Sequence, residues 1–160
     1  MGIRFPTEIH TAEIPQQVEQ MLRITGEQPL IKRLEWLDRE LAENPYMEGW
    51  LADRFVLEFA FQRWLAQDDL SAIDQALRDK STYELMAFVT GITSIYPQLS
   101  AKAQNRLRGQ LSDGLKSDTG LLPLQLEVSA ITHLMRAGYS VEANDLEAGG
   151  GFDFLAKKDG

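Results

Sequence analysis

The apolar residues of the first 118 positions recur at intervals of three and four, the spacing that places side chains on one face of an α-helix. The interruptions carry residues that start or stop helices. Pro15 lies near one predicted start, Gly26 follows the end of that stretch, and Asn44-Pro45 separates two further stretches. We therefore predict about five or six helices here, arranged as a bundle or array.

The segment 46–66 is apolar on nearly every side, which predicts a helix in the middle of this helical part. Within it, Arg54 and Glu58 lie four residues apart and are interpreted as a local ion pair at the edge of the core, with a buried polar site as the alternative. The three tryptophans are predicted to anchor the core: Trp36, Trp50 and Trp64.

The later part of the helical region shows one start signal and one change of composition. Ser81 precedes Glu84 by three residues, the spacing of a capping box, and the apolar stripe that follows ends before Pro97. Another helix is predicted to begin after Ser100 and to fade in the polar, glycine-containing segment 112–120. This segment predicts a linker to a different unit.

The net charge of −8 limits the partners that the chain can bind. A surface of this sign repels phosphate backbones, so a nucleic-acid contact would need a local basic patch or a bridging divalent metal. The nearest approach to such a patch is interpreted as a solvated face: Lys102, Arg106, Arg108 and Lys116. The absence of cysteine excludes disulfides, thiolate metal sites and cysteine nucleophiles, and it leaves His10 and His133 as the imidazoles.

The sequence also bears on location. It has no apolar run of about 18 residues, the length that spans a bilayer. The opening residues "MGIRFPTEIH" lack the basic-then-apolar pattern of a signal peptide. We predict a cytoplasmic protein.

A helix is predicted between Pro123 and Gly138, and one carboxylate falls on its apolar face. The apolar arc comprises Leu124, Val128, Ile131, Leu134 and Met135. Glu127 lies inside that arc, whereas Gln125 and His133 are predicted on the polar side. Burying a carboxylate is costly without a partner. Glu127 therefore requires a cation from the helical part, a metal or protonation, unless its side chain extends out to solvent.

Two strands are predicted after this helix. Residues 139–144 alternate apolar and polar side chains, and residues 152–156 form a more continuously apolar strand that carries Asp153. The glycines between them favour a hairpin connection rather than a phosphate cradle, because no helix follows. The predicted fold class is mainly α: a helical bundle or array over 1–118, then a helix and a β-hairpin over 119–160.

The order of helix, strand, glycine turn and strand resembles the first half of the PD-(D/E)XK, or restriction-endonuclease-like, nuclease superfamily. The matching residues are Glu127 in "LQLEVSAITHLMRAGYSVE" and Asp153 in "GGGFDFLAKKDG". In that family the next strand carries a Glu-x-Lys or Asp-x-Lys triplet, whose acid joins the strand aspartate in holding Mg²⁺ and whose lysine orients the attacking water. The triplet is not part of this sequence, so the resemblance covers about the last 40 residues and two of the four signature positions.

The resemblance implies that the chain is the start of a longer Mg²⁺-dependent nuclease-like protein and is itself inactive. Glu127 and Asp153 would be its catalytic and metal-binding residues. These 160 residues would bind Mg²⁺ weakly if at all, and tight Mg²⁺ binding and nucleic-acid binding would belong to a full-length form. The alternative is a helical module that binds a partner protein in a groove between helices, without catalytic activity. A metal-free hydrolase with paired acids is a third, less favoured option. Because a two-stranded hairpin leaves an unpaired edge, we also expect it either to pack hard on the helical part or to pair with another copy of itself in a homodimer.

Overall fold

The computed structural model describes residues 6, 8–67, 78–142, 146 and 154–158. Within these residues the chain forms seven α-helices and one antiparallel two-stranded sheet near its C-terminal end. The predicted fold class is therefore confirmed. The helices are α1 (Ile14–Thr25), α2 (Glu27–Glu43), α3 (Glu48–Arg54), α4 (Val56–Leu65), α5 (Lys80–Ile95), α6 (Ala101–Lys116) and α7 (Leu122–Arg136), and the strands are β1 (Tyr139–Glu142) and β2 (Leu155–Lys158).

The first two helices begin and end where the breaking residues predicted. Pro15 lies in the first turn of α1, and Gly26, with φ of 78°, takes the left-handed conformation that ends α1 and precedes α2. Helix α2 ends before Asn44, and a short 3₁₀ turn over Pro45–Met47 follows.

The stretch 46–66 is not one central helix. Phe55, with φ of −113° and ψ of 43°, interrupts it and separates α3 from α4. Because α3 lies at the periphery, Trp50 is 50% exposed, and its prediction as a core anchor is wrong. Trp64 on α4 is buried as predicted, whereas Trp36 is half-buried.

The start of α5 also differs from the sequence prediction. The residue that caps it is Asp79, whose carboxylate accepts the N–H of Thr82 at 2.9 Å, so the capping box predicted from Ser81 is wrong. Ser81 instead donates its hydroxyl to Asp79 at 2.5 Å. These donors stabilise the ionised carboxylate and lower the pKa of Asp79 to about 2.

Helix α6 is longer than the sequence suggested. Ser100 caps its start by accepting the N–H of Ala103 at 3.3 Å, and the helix then continues through the glycine-containing segment to Lys116. The connection to α7 is therefore the short stretch 117–121 rather than the whole segment 112–120.

Helix α5 occupies the centre of the molecule and packs against α1, α4 and α7. Its fully buried side chains include Leu85, Met86, Ile92 and Ile95. The same apolar cluster continues into the later elements through Leu121, Leu124, Val128, Ile131 and Val141. The division of the chain at residue 118 stays a prediction, and the apolar core is continuous across that point.

The two strands pair antiparallel, with Tyr139 opposite Lys158 and Val141 opposite Ala156. Val141 is buried against α7, which anchors the hairpin on the helical body. Of the predicted second strand, Leu155 and Ala156 lie in β2, Phe154 precedes it, and residues 152–153 lie outside the described part of the chain. Among the described helices, none combines the length and the apolar character that crossing a bilayer requires.

Candidate functional site

Glu127 lies on α7 as predicted, next to the buried face of that helix. Leu124, Val128 and Ile131 are buried, and Glu127 itself is half-buried. Its side chain lines a cleft of about 340 Å³ between α6 and α7, together with Asp113 of α6. Two carboxylates from neighbouring helices therefore border the same cleft.

Part of the α7 face that the helical wheel assigns to solvent is buried. Gln125 is buried, and its Nε2 donates to Oε2 of Glu84 at 3.3 Å. The reason is that α5 packs against α7 and covers a side that the helical wheel assigns to solvent. His133 is exposed, as the wheel predicted.

Asp153, the second predicted site residue, lies outside the described residues. The proximity of Glu127 and Asp153 therefore stays a prediction. Within the described ranges, no group of three or more histidine, aspartate or glutamate side chains is arranged to hold a metal ion.

The most deeply buried carboxylate of the described chain is Glu58 on α4, which is 1% exposed. The predicted ion pair with Arg54 is wrong. Arg54 points away, donating from Nε to the carbonyl of Asp118 and lying 4.9 Å from the ring centroid of Trp50. Glu58 Oε1 instead accepts the N–H of Leu121 at 2.9 Å.

This contact places the Glu58 carboxylate at the N-terminus of α7. The partial positive charge of a helix N-terminus favours an anion there. Burial nevertheless dominates and raises the pKa of Glu58, while the Leu121 N–H and the charge of Arg33 act in the opposite direction. Oε2 of Glu58 has no hydrogen-bond partner among the described residues. Glu58 is thus a buried acid whose position is fixed through one oxygen.

Glu58 binds the end of the stretch that connects α6 to α7, and Arg33 of α2 binds its beginning. Arg33 is only 6% exposed. It donates from Nε to the carbonyl of Leu115 at 2.5 Å and from Nη2 to the carbonyl of Ser117 at 2.6 Å. Its guanidinium carbon lies 4.8 Å from the ring centroid of Trp36 and 5.0 Å from that of Phe55. Burial lowers the pKa of Arg33, and Glu58 is the first charge that counteracts this effect.

Sequence reasoning missed Arg33, although a signal was present. Arg33 stands three residues after Leu30 and four before Leu37, both buried, so it occupies the apolar face of α2. A charged side chain on such a face indicates a buried polar contact. The acceptors lie more than 80 residues away in sequence, and no local pattern identifies them.

Gly120 makes this arrangement sterically possible. Its φ is +60°, and a Cβ atom there would lie 2.3 Å from Oε1 of Glu58 and 2.7 Å from Cδ1 of Phe55. The connection between α6 and α7 therefore requires glycine at this position both for its backbone and for its contacts.

A basic cavity of about 380 Å³ lies on the outer side of Arg33, between α2 and the end of α6. We use this name for the space whose charged and aromatic lining comprises Lys32, Arg33, Trp36, Arg39, Lys116 and Asp118. Four cations and one carboxylate line it, so its charge is opposite to that of the chain as a whole.

The basic residues singled out from the sequence do not form one patch. Lys102 and Arg108 are exposed, as expected for a solvated face, and Arg108 lies 5.8 Å from the ring centroid of Tyr96. Arg106 donates from Nη1 to the carbonyl of Leu146 at 2.7 Å. Lys116 belongs to the basic cavity instead.

Comparisons of this chain with protein-family models, with curated proteins and with solved structures return no match.

Proposed function

We propose that this chain contributes the opening elements of a Mg²⁺-dependent nuclease-like domain, carried on a helical body. The observation that supports the proposal is the order of α7, β1 and β2 together with the half-buried Glu127 on α7. This order and this acid are the features that resemble the PD-(D/E)XK superfamily.

The donor chemistry suits the proposed ion. Mg²⁺ prefers oxygen ligands and is commonly held by one or two carboxylates while keeping several waters. Glu127 offers such a ligand, and Asp153 would be the second. A bound Mg²⁺ would supply Lewis acidity and a more acidic water for hydrolysis of a phosphodiester. Since two carboxylates are few ligands, we expect weak Mg²⁺ binding and no cleavage by these 160 residues.

The metal part of the proposal is tested by adding Mn²⁺, as a paramagnetic substitute for Mg²⁺, to the isotope-labelled chain and recording amide spectra. We expect line broadening around Glu127 and Asp153 that is lost in Glu127→Gln and in Asp153→Asn. Glu35→Gln, a change of an exposed glutamate on α2, is the matched control. Broadening that persists in both site variants would contradict the shared cation.

The expected inactivity has its own test. The chain is incubated with supercoiled plasmid and Mg²⁺, and the products are separated on a gel. We expect no nicking, and robust nicking that disappears in Asp153→Asn would show that these residues suffice for cleavage.

A second candidate function, a helical module that binds a partner protein, is favoured by the exposed aromatic residues around α3. Tyr46 is 82% exposed and Trp50 is 50% exposed, with Arg54 stacked on Trp50. Tryptophan, tyrosine and arginine are the residues that most often dominate binding energy at interfaces. The positive charge of Arg54 favours a partner segment that carries carboxylates.

This candidate is tested by selecting peptides from a displayed library and measuring their affinities. We expect selected peptides rich in aspartate or glutamate that bind Trp50→Ala and Arg54→Ala more weakly. Tyr83→Ala, which removes another exposed aromatic residue on α5, should leave their affinities unchanged. Peptides insensitive to both α3 variants would argue against the module.

Pairing of two hairpins through their edges remains a proposal for the oligomeric state. Strand β2 has four residues and carries Lys157 and Lys158, and lysines on a short edge disfavour pairing with another strand. Leu155, which is 49% exposed, favours it. Light scattering across a concentration series decides between a monomer and a dimer.

A further inference from the structure

We propose that the basic cavity is a binding site for a small phosphorylated molecule, with the phosphate group held by Lys32, Lys116 and Arg39 around the buried Arg33. The proposal is independent of the nuclease and of the protein-binding candidates, because it uses neither Glu127 nor the α3 surface.

The first argument is the concentration of positive charge. The lining carries four of the 16 lysines and arginines of the chain within a space of about 380 Å³, against the single carboxylate of Asp118. Like charges placed together repel one another, and an anion between them relieves that repulsion. The cations approach from two sides, since Lys32 and Arg39 stand on α2 and Lys116 ends α6.

The second argument is that the guanidinium of Arg33 is held in a fixed orientation with one nitrogen left to donate. Two of its nitrogens, Nε and Nη2, are committed to the carbonyls at the end of α6, which fixes the plane of the guanidinium. No described residue accepts a hydrogen bond from Nη1, and Arg33 as a whole is only 6% exposed. Because Arg33 lines the cavity, Nη1 is a preorganised donor for an oxygen of a ligand.

The same two hydrogen bonds remove an obstacle to anion binding. The C-terminal end of a helix carries partial negative charge on its free carbonyls. Here the carbonyls of Leu115 and Ser117 are occupied by Arg33, so their negative ends face a guanidinium rather than the cavity.

The balance of charges favours a phosphate monoester over a carboxylate. A phosphate monoester carries about −1.5 to −2 charge at neutral pH and three acceptor oxygens, whereas a carboxylate carries one charge and two oxygens. Trp36, Pro29 and Leu115 supply an apolar wall for the organic part of the molecule. A long nucleic acid is disfavoured, because the net charge of −8 repels phosphates that lie beyond the cavity.

Isothermal titration calorimetry with pyrophosphate and with adenosine monophosphate tests the proposal. We expect saturable binding that weakens with added salt and that drops about tenfold in Lys32→Ala and again in Lys116→Ala. Both lysines are exposed, so these variants should keep the fold, which circular dichroism checks. Lys102→Ala, an exposed lysine on α6 outside the cavity, should bind like the unaltered chain.

Three results would overturn the proposal. The first is no saturable heat with either probe up to about 10 mM, the range of a very weak interaction. The second is an equal loss of affinity in Lys102→Ala and in the cavity variants. The third is tighter binding of citrate or of a single-stranded oligonucleotide than of both phosphate probes, which would assign the cavity to carboxylates or to a nucleic-acid backbone.

Discussion

Replacing Gly120 with alanine should destabilise this protein far more than the same change at a comparable glycine. Gly120 has φ of +60°, and an alanine Cβ there would stand 2.3 Å from Oε1 of Glu58 and 2.7 Å from Cδ1 of Phe55. Neither neighbour can move freely, because Phe55 is buried and Glu58 is tied to the N–H of Leu121. The substitution therefore combines backbone strain with a steric conflict.

The expected magnitude follows from these two contributions. Placing a residue with a Cβ in the left-handed region costs about 1–2 kcal/mol. Displacing the Glu58 carboxylate breaks its hydrogen bond to Leu121, and a hydrogen bond to a charged group contributes about 1.5–3 kcal/mol. The sum is about 2.5–5 kcal/mol of unfolding free energy, a large share of the roughly 5–15 kcal/mol that a domain possesses.

Gly138 provides the matched control. Its φ of +84° also lies in the left-handed region, but a Cβ there would meet nothing within 4 Å. Gly138→Ala should therefore show only the backbone cost of about 1–2 kcal/mol. The difference between the two variants isolates the contact with Glu58 and Phe55.

The assay is equilibrium unfolding in urea, followed by circular dichroism for Gly120→Ala, Gly138→Ala and the unaltered chain. Adding Glu58→Ala to Gly120→Ala supplies a double-mutant cycle, in which the alanine at 120 should cost about 1.5–3 kcal/mol less once the carboxylate is gone. If Gly120→Ala is no more destabilising than Gly138→Ala, the close approach of Gly120 to Glu58 does not constrain the fold.

Three further predictions concern charged groups. The raised pKa of Glu58 means that the folded protein holds this proton more tightly than the unfolded chain, so unfolding free energy should fall as pH rises from about 4.3 through the folded pKa. Glu58→Gln, which still accepts the Leu121 N–H, should remove that slope in thermal melts. The pKa of Asp79, lowered to about 2, implies a contribution to stability above about pH 3.9 that is lost on acidification toward pH 2. Asp79→Ala should cost about 1 kcal/mol at neutral pH in urea unfolding and much less near pH 2. Arg33→Lys should lower the urea midpoint by the equivalent of about 2–3 kcal/mol, because lysine cannot donate to both carbonyls in the same plane, whereas Arg39→Lys on the exposed face should change it little.

The ends of helices were predictable where the sequence contains residues that start or stop a helix. Pro15, Gly26 and Asn44 each specify a local backbone state, so the ends of α1 and α2 follow from sequence. The break at Phe55 has no such marker, since an aromatic residue between apolar neighbours is equally compatible with a continuous helix. The exposure of Trp50 follows from that unpredicted break.

The candidate site was harder to predict from the sequence, because its contacts join distant parts of the chain. The apolar arc of α7 places Glu127 correctly, since helical periodicity is a local property. Arg33 and Glu58 depend on backbone groups of the connection after α6, and which residues approach that connection is decided by packing. The burial of Gln125 by α5 likewise depends on how the helices pack and not on a local sequence pattern.

The attachment of α7 has a consequence for protein engineering. The backbone N–H of Leu121, immediately before α7, is bound by a side chain of α4, and two carbonyls at the end of α6 and just after it are bound by a side chain of α2. A designer who grafts α7 and the hairpin onto another scaffold would have to transfer Arg33 and Glu58 with their helices, or provide substitutes for both. Cutting the gene at the polar segment before α7 would separate this unit from the groups that orient it.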